Sequence, residues 1–123
     1  MKYVVTMGYY TDGKILVPMS KTEMQILARN RKEYSALIFD SLVELRKKYR
    51  TNGYLGCVYE VSDDFKSSRF VGRISWDLVG KAPDYKKVYT WEIPDGNKIG
   101  KNDFVIKAKY HLNKDGTLGR RLV

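Results

Sequence analysis

Asp103-Phe104-Val105-Ile106-Lys107-Ala108-Lys109-Tyr110-His111-Leu112 alternates apolar and polar side chains over a full strand's length, and this stretch decides how the chain folds. A period of two sends successive side chains to opposite sides of a pleated strand. Phe104, Ile106, Ala108, Tyr110 and Leu112 are therefore expected on one face, with Val105, Lys107, Lys109 and His111 on the other. A strand with one apolar face belongs to an antiparallel sheet covered on one side.

Working outward, the same alternation recurs in Lys86 to Ile93, where Lys87, Tyr89, Trp91 and Ile93 oppose Lys86, Val88, Thr90 and Glu92. It recurs again in Arg69 to Val79, with Phe70, Gly72, Ile74, Trp76 and Leu78 on one side. Tyr54 to Val61 reads as a further strand. Pro94-Asp95-Gly96-Asn97 and Asn113-Lys114-Asp115-Gly116 carry the glycine and Asx chemistry of turns, and Thr117 to Val123 reads as a short edge strand.

Upstream of residue 54 the period changes. Ser20-Lys21-Thr22-Glu23 has the spacing of a capping box. The apolar stripe that follows, Met24, Leu27 and Ala28, then Tyr34, Leu37, Ile38, Leu42, Leu45 and Tyr49, predicts one long helix over 20–50, unbroken or interrupted near Asn30. Thr51-Asn52-Gly53 would end it. Before it, Tyr3 to Tyr10 and Lys14 to Met19 flank Asp12-Gly13 and predict an N-terminal hairpin over 3–19. The expected fold is α+β: a twisted, mostly antiparallel sheet of five to seven strands, with strands over 54–123, packed against that helix. One domain over 1–123 suits the length.

The chain carries 23 Lys and Arg against 14 Asp and Glu, a net charge of +9. The excess is concentrated. Residues 20–50 hold eight cations against four carboxylates and residues 98–123 seven against two, whereas 51–97 hold six against seven. Two cationic blocks point to a polyanion, and the expected function is non-catalytic binding of DNA or RNA through phosphate contacts. The contacts are expected from Arg46, Lys47, Lys48 and Arg50 at the helix end, from Lys98, Lys101, Lys107, Lys109 and His111 on the β-hairpin, and from Arg120 and Arg121 at the C-terminus. Cations at a helix C-terminus are also favoured by the macrodipole, which accounts for part of the first group.

A ribonucleoprotein is an equivalent partner in charge. A second class of function is a protein-binding adaptor or inhibitor of a nucleic-acid-handling complex, of the phage or mobile-element type, gripping its partner through Phe39 and Val43, which lie off the helix's main apolar stripe, or through an exposed strand edge. A small nuclease is the third. Arg73, Glu92, Lys109 and His111 would have to converge for metal-free chemistry, and Asp63, Asp64, Asp77, Asp84, Glu92 and Asp95 match no hard-metal motif. No cofactor or metal ligand set is expected. One cysteine, Cys57, excludes an intramolecular disulfide, and with no stretch of about 20 apolar residues the expectation is a cytoplasmic protein that does not enter the membrane.

Overall fold

The computed structural model describes residues 1–123. It contains seven strands, β1 (Lys2–Thr6), β2 (Ile38–Phe39), β3 (Gly56–Val61), β4 (Ser68–Val79), β5 (Lys86–Ile99), β6 (Phe104–Leu112) and β7 (Leu118–Arg121), and two helices, α1 (Lys21–Arg29) and α2 (Leu42–Asn52). The strands form one antiparallel sheet in the order β2-β1-β3-β4-β5-β6-β7, curled into a half-barrel. Each of β4 to β7 is a hairpin neighbour of the strand before it, so the sheet from β3 onward is a meander.

The expected single long helix over 20–50 does not form. Ser20 caps α1 by accepting from the Glu23 amide at 3.1 Å, and the helix closes at Asn30, whose amide reaches the Ile26 carbonyl at 3.1 Å. After a 3-10 turn at Ser35–Leu37, Ile38 and Phe39 leave helical conformation altogether and pair with Val4 and Tyr3. Pairing on β1 buries Phe39, a gain that a continuous surface helix would not give. A second Ser-x-x-Glu spacing, Ser41-Leu42-Val43-Glu44, then restarts the helix, with Ser41 accepting from the Glu44 amide at 3.1 Å. Gly53 ends α2 in the left-handed conformation, φ 73°.

The N-terminal hairpin is also revised. β1 pairs with β2 and β3 and not with residues 14–19; those residues form a small turn closed by a Thr11–Leu16 bridge, and Ile15 docks against Lys98 at the far end of β5. Residues 94–97, expected as a turn, continue β5 as an irregular strand, and the reversal comes at residues 100–103, where the Gly100 amide meets the Asp103 carbonyl at 2.7 Å.

The sheet is covered on both sides. Val4 and Val5 adjoin on β1 and so point oppositely. Val5 joins Val58, Ile74, Trp91 and Leu112 beneath Leu45 and Tyr49 of α2, while Val4 joins Tyr59, Val61 and Phe65 beneath Met24 and Leu27 of α1. Two bulges make this arrangement work. Val58 pairs with Gly72 but Tyr59 with Phe70, and Ile93 pairs with Ala108 but Pro94 with Ile106, so Val71 and Lys107 are extra residues. Phe70, Phe104 and Ile106 are thereby switched to the α1 face, correcting the strict alternation expected of β4 and β6. There Phe104 meets Phe70 with ring centroids 5.1 Å apart.

Candidate nucleic-acid interface

Register sets which side chains share a face. On the α2 face, Ile74 stands opposite Trp91 and Trp76 opposite Tyr89, and Trp91 in turn faces Tyr110, which faces Arg121. Gly72 makes this row possible, because a Cβ there would overlap the Trp91 indole.

Three cations lie on these rings. Arg46 of α2 sits 5.2 Å above Trp91, Arg50, one turn later, 5.1 Å above Tyr89, and Lys87 of β5 4.4 Å above Trp76. Arg46 and Arg50 are four residues apart on α2, a spacing that puts both on one helix side, and Tyr89 and Trp91 are two apart on β5, a spacing that puts both on one sheet face. Lys48, on the other side of the helix, lies 5.7 Å from the Phe39 ring.

None of these four cations has a carboxylate within ion-pairing distance. Arg50 donates from Nε to the Leu112 carbonyl at 3.2 Å. Arg46 is 8% exposed, its Nε has no hydrogen-bond partner, and burial pulls its pKa down. An aromatic face attracts a cation through its quadrupole but carries no net charge, so stacking orients the cation without cancelling its field.

Across the sheet the cations carried by the strands are neutralised, although Arg31, beyond α1, stacks unpaired 4.6 Å from the Phe65 ring. Arg73 donates from Nε to Glu92 at 2.9 Å and forks both terminal nitrogens onto Asp103 at 3.1 and 2.7 Å. This pairing raises the Arg73 pKa despite burial, which opposes it. Lys109 pairs with Asp77 at 2.9 Å, and Lys2 with Asp40. Cys57 is next to Arg73 in register, and burial pushes its thiol up to about 11, the reverse of what a nucleophile needs. The convergence required for metal-free nuclease chemistry is only half met. Arg73, Glu92 and Lys109 are register neighbours, but their charges are spent on one another and on Asp103 and Asp77, while the His111 ring is 3.2 Å from Asn113 Oδ1. No three His, Cys, Asp or Glu side chains are grouped as a metal requires.

The sequence-predicted contacts therefore divide. Arg46, Lys47, Lys48 and Arg50 belong to α2, and Arg121 to the same face through its register with Tyr110. Lys107 is exposed at the bulge, its carbonyl accepting from Arg121 at 3.3 Å, and Arg120 is exposed on the edge strand. Lys109 and His111 are on the opposite face. Lys98, paired with Asp95 at 3.2 Å, and Lys101 stand at the far end of the β5–β6 hairpin. Phe39, expected as a partner contact, is core: it is 8% exposed and packs edge-on against Tyr49 at 6.0 Å. Val43 is 43% exposed, with its carbonyl side against the Gly116 turn.

Sequence reasoning missed Trp76, Lys87, Tyr89 and Trp91 as a unit. The alternation had already put Trp76 on one side of its strand and Lys87, Tyr89 and Trp91 together on theirs; only the β4–β5 register was lacking. Comparison of the chain with protein-family models, curated proteins and solved structures gives no match in any of the three. No helix is long and apolar enough to cross a membrane.

Proposed function

We propose that the protein binds single-stranded DNA or RNA across the α2 face of the sheet. The observation that carries this reading is the row of cations held on aromatic rings with no carboxylate among them: Arg46 on Trp91, Arg50 on Tyr89 and Lys87 on Trp76. A guanidinium stacked on a ring is already ordered, so less side-chain entropy is lost when it meets a phosphate. Exposed Lys47, Lys48, Lys107 and Arg121 extend the field around the row. Half-buried Tyr89, Trp76 and Tyr110 offer ring surface beside the cations, and base stacking on such rings contributes about 1–3 kcal/mol per base without demanding a sequence.

Fluorescence anisotropy of a labelled single-stranded oligonucleotide tests it. Affinity is expected to fall steeply with salt, and Arg50→Ala, Lys87→Ala and Arg121→Ala are each expected to reduce the log–log salt slope by about one. Lys98→Ala and Lys109→Ala should leave both affinity and slope nearly unchanged. A salt-independent affinity, or equal effects from both sets of substitutions, defeats the reading.

A further inference from the structure

The two edges of the sheet are finished differently. β7 is a four-residue edge strand with Arg120 and Arg121 exposed on it, a charged ending that discourages pairing with another chain. At the other edge β2 covers only Tyr3 and Val4. β1 continues for two more residues, Val5 and Thr6, with β3 on one side and on the other no strand but the 3-10 turn Ser35–Leu37, which packs on β1 and ends in the groove at Leu37.

Along this stretch, which no second strand pairs, runs a groove of about 880 Å³, lined by 16 residues of which 13 are hydrophobic. Val5, Thr6 and Met7 are among them; Ile26, Leu27 and Tyr34 come from the α1 side, and Tyr49, Tyr54 and Leu55 from the α2 side. Met7, Tyr54, Leu55 and Ile26 are all substantially exposed, which makes this an apolar patch around an unpaired backbone. An extended segment lying beside Val5 and Thr6 would send alternate side chains to the two walls, the geometry of strand addition.

Charge selects the occupant. Glu23, which accepts from the Tyr10 hydroxyl, is the one charged residue in the lining. At the margins stand Arg29, one turn beyond Ile26 on α1, and Lys48, next to Tyr49 on α2; both are exposed and neither is in an ion pair. A second copy of this chain would bring another +9 against the first. We infer that the open edge of β1 receives an extended strand of an acidic partner protein, its apolar side chains alternating into the groove and its flanking carboxylates meeting Arg29 and Lys48. The site shares Lys48 with the nucleic-acid face but none of Arg46, Arg50 and Lys87, so variants that leave Lys48 in place test it independently of nucleic-acid binding.

The probe is a synthetic peptide of alternating valine and threonine flanked by aspartates. Its binding should slow amide hydrogen exchange by about tenfold or more at the alternate positions among Val5, Thr6 and Met7 whose N–H groups point away from β3, since exchange there requires the new ladder to open. Ile26→Asp and Leu55→Asp change exposed residues and leave the fold intact by circular dichroism; each should weaken the peptide about tenfold, and so should replacing its aspartates by lysines. Oligonucleotide affinity should be unaffected by either variant. The inference is overturned by absence of binding, by unchanged exchange at β1, by equal affinity for the lysine-flanked peptide, or by sedimentation showing that the edge is taken by a second copy.

Discussion

Arginines 73 and 46 lie on opposite faces of one sheet, both largely withdrawn from water, and the protein treats them oppositely. Both lie on a ring, Arg73 4.5 Å from Phe104 and Arg46 5.2 Å from Trp91, but Arg73 adds two carboxylates and three donated hydrogen bonds whereas Arg46 has an orphan Nε. The first arrangement closes the field inside the molecule. The second leaves it open, and because Arg50, Lys87 and Lys48 are stacked in the same way, their charges add over the α2 face. The exception on that face is Glu60–Arg69, paired at 3.1 Å toward the other end of β3 and β4. What separates a structural cation from one available to a ligand is thus its partner more than its exposure.

The largest expected effect breaks the paired side. Arg73→Ala leaves Glu92, whose side chain is 6% exposed, as an uncompensated buried charge and should cost about 3 kcal/mol in urea denaturation, the low end for a broken buried pair because Asp103 can rehydrate. Arg46→Met, the matching change on the α2 face, removes a desolvated charge that nothing neutralises and fills its place with apolar volume. Its stability should lie within about 1 kcal/mol of the parent, on either side of it, while oligonucleotide affinity falls. Equal destabilisation by the two substitutions would erase the distinction between the faces.

Gly72→Ala sharpens the comparison from beneath. The added methyl displaces the Trp91 ring on which Arg46 rests, at an overpacking cost of about 1–3 kcal/mol, and it should change tryptophan emission along with the denaturation midpoint. Oligonucleotide affinity should drop in the same variant although no charge has been altered.

Much of this sheet can be read from period-two patterning, because β3 to β6 are long strands in a meander and each apolar residue reports its face directly. The failures have local causes. Ile38-Phe39 is too short to interrupt a helical stripe on paper, and its strand exists only because β1, some 35 residues earlier, offers an edge and burial for Phe39. The Val71 and Lys107 bulges each insert one residue, which no alternation pattern distinguishes from a regular strand until the partner is known. The candidate site suffered from a different limit. Counting charge by block favoured residues 98–123 and passed over Lys87, since charge along a chain ignores the carboxylate across the strand: Lys109 and Lys98 turn out paired, and Lys87 does not.

Acid provides the finest test of the contrast between faces. Burial alone would raise the Asp103 pKa, but the fork from Arg73 and the hydrogen bond from the Phe104 amide at 2.9 Å outweigh it and hold the carboxyl below the ordinary aspartate value of 3.8. A carboxyl with a depressed folded-state pKa binds protons more readily when unfolded, so its stabilisation is fully present above pH 3.8 and disappears as pH falls through the lower folded value. Asp40 and Asp63 are depressed too, by Lys2 and the N-terminal amine, but both are wholly exposed and solvent screens their pairs. The Asp103→Asn variant should therefore be less stable than the parent near neutrality and show a shallower loss as pH falls below the ordinary aspartate value of 3.8 in denaturant titrations. Arg46→Met removes no carboxylate's partner and should keep the parent's acid limb; if it flattens the limb as Asp103→Asn does, Arg46 is itself neutralised by a carboxylate and the contrast with Arg73 fails.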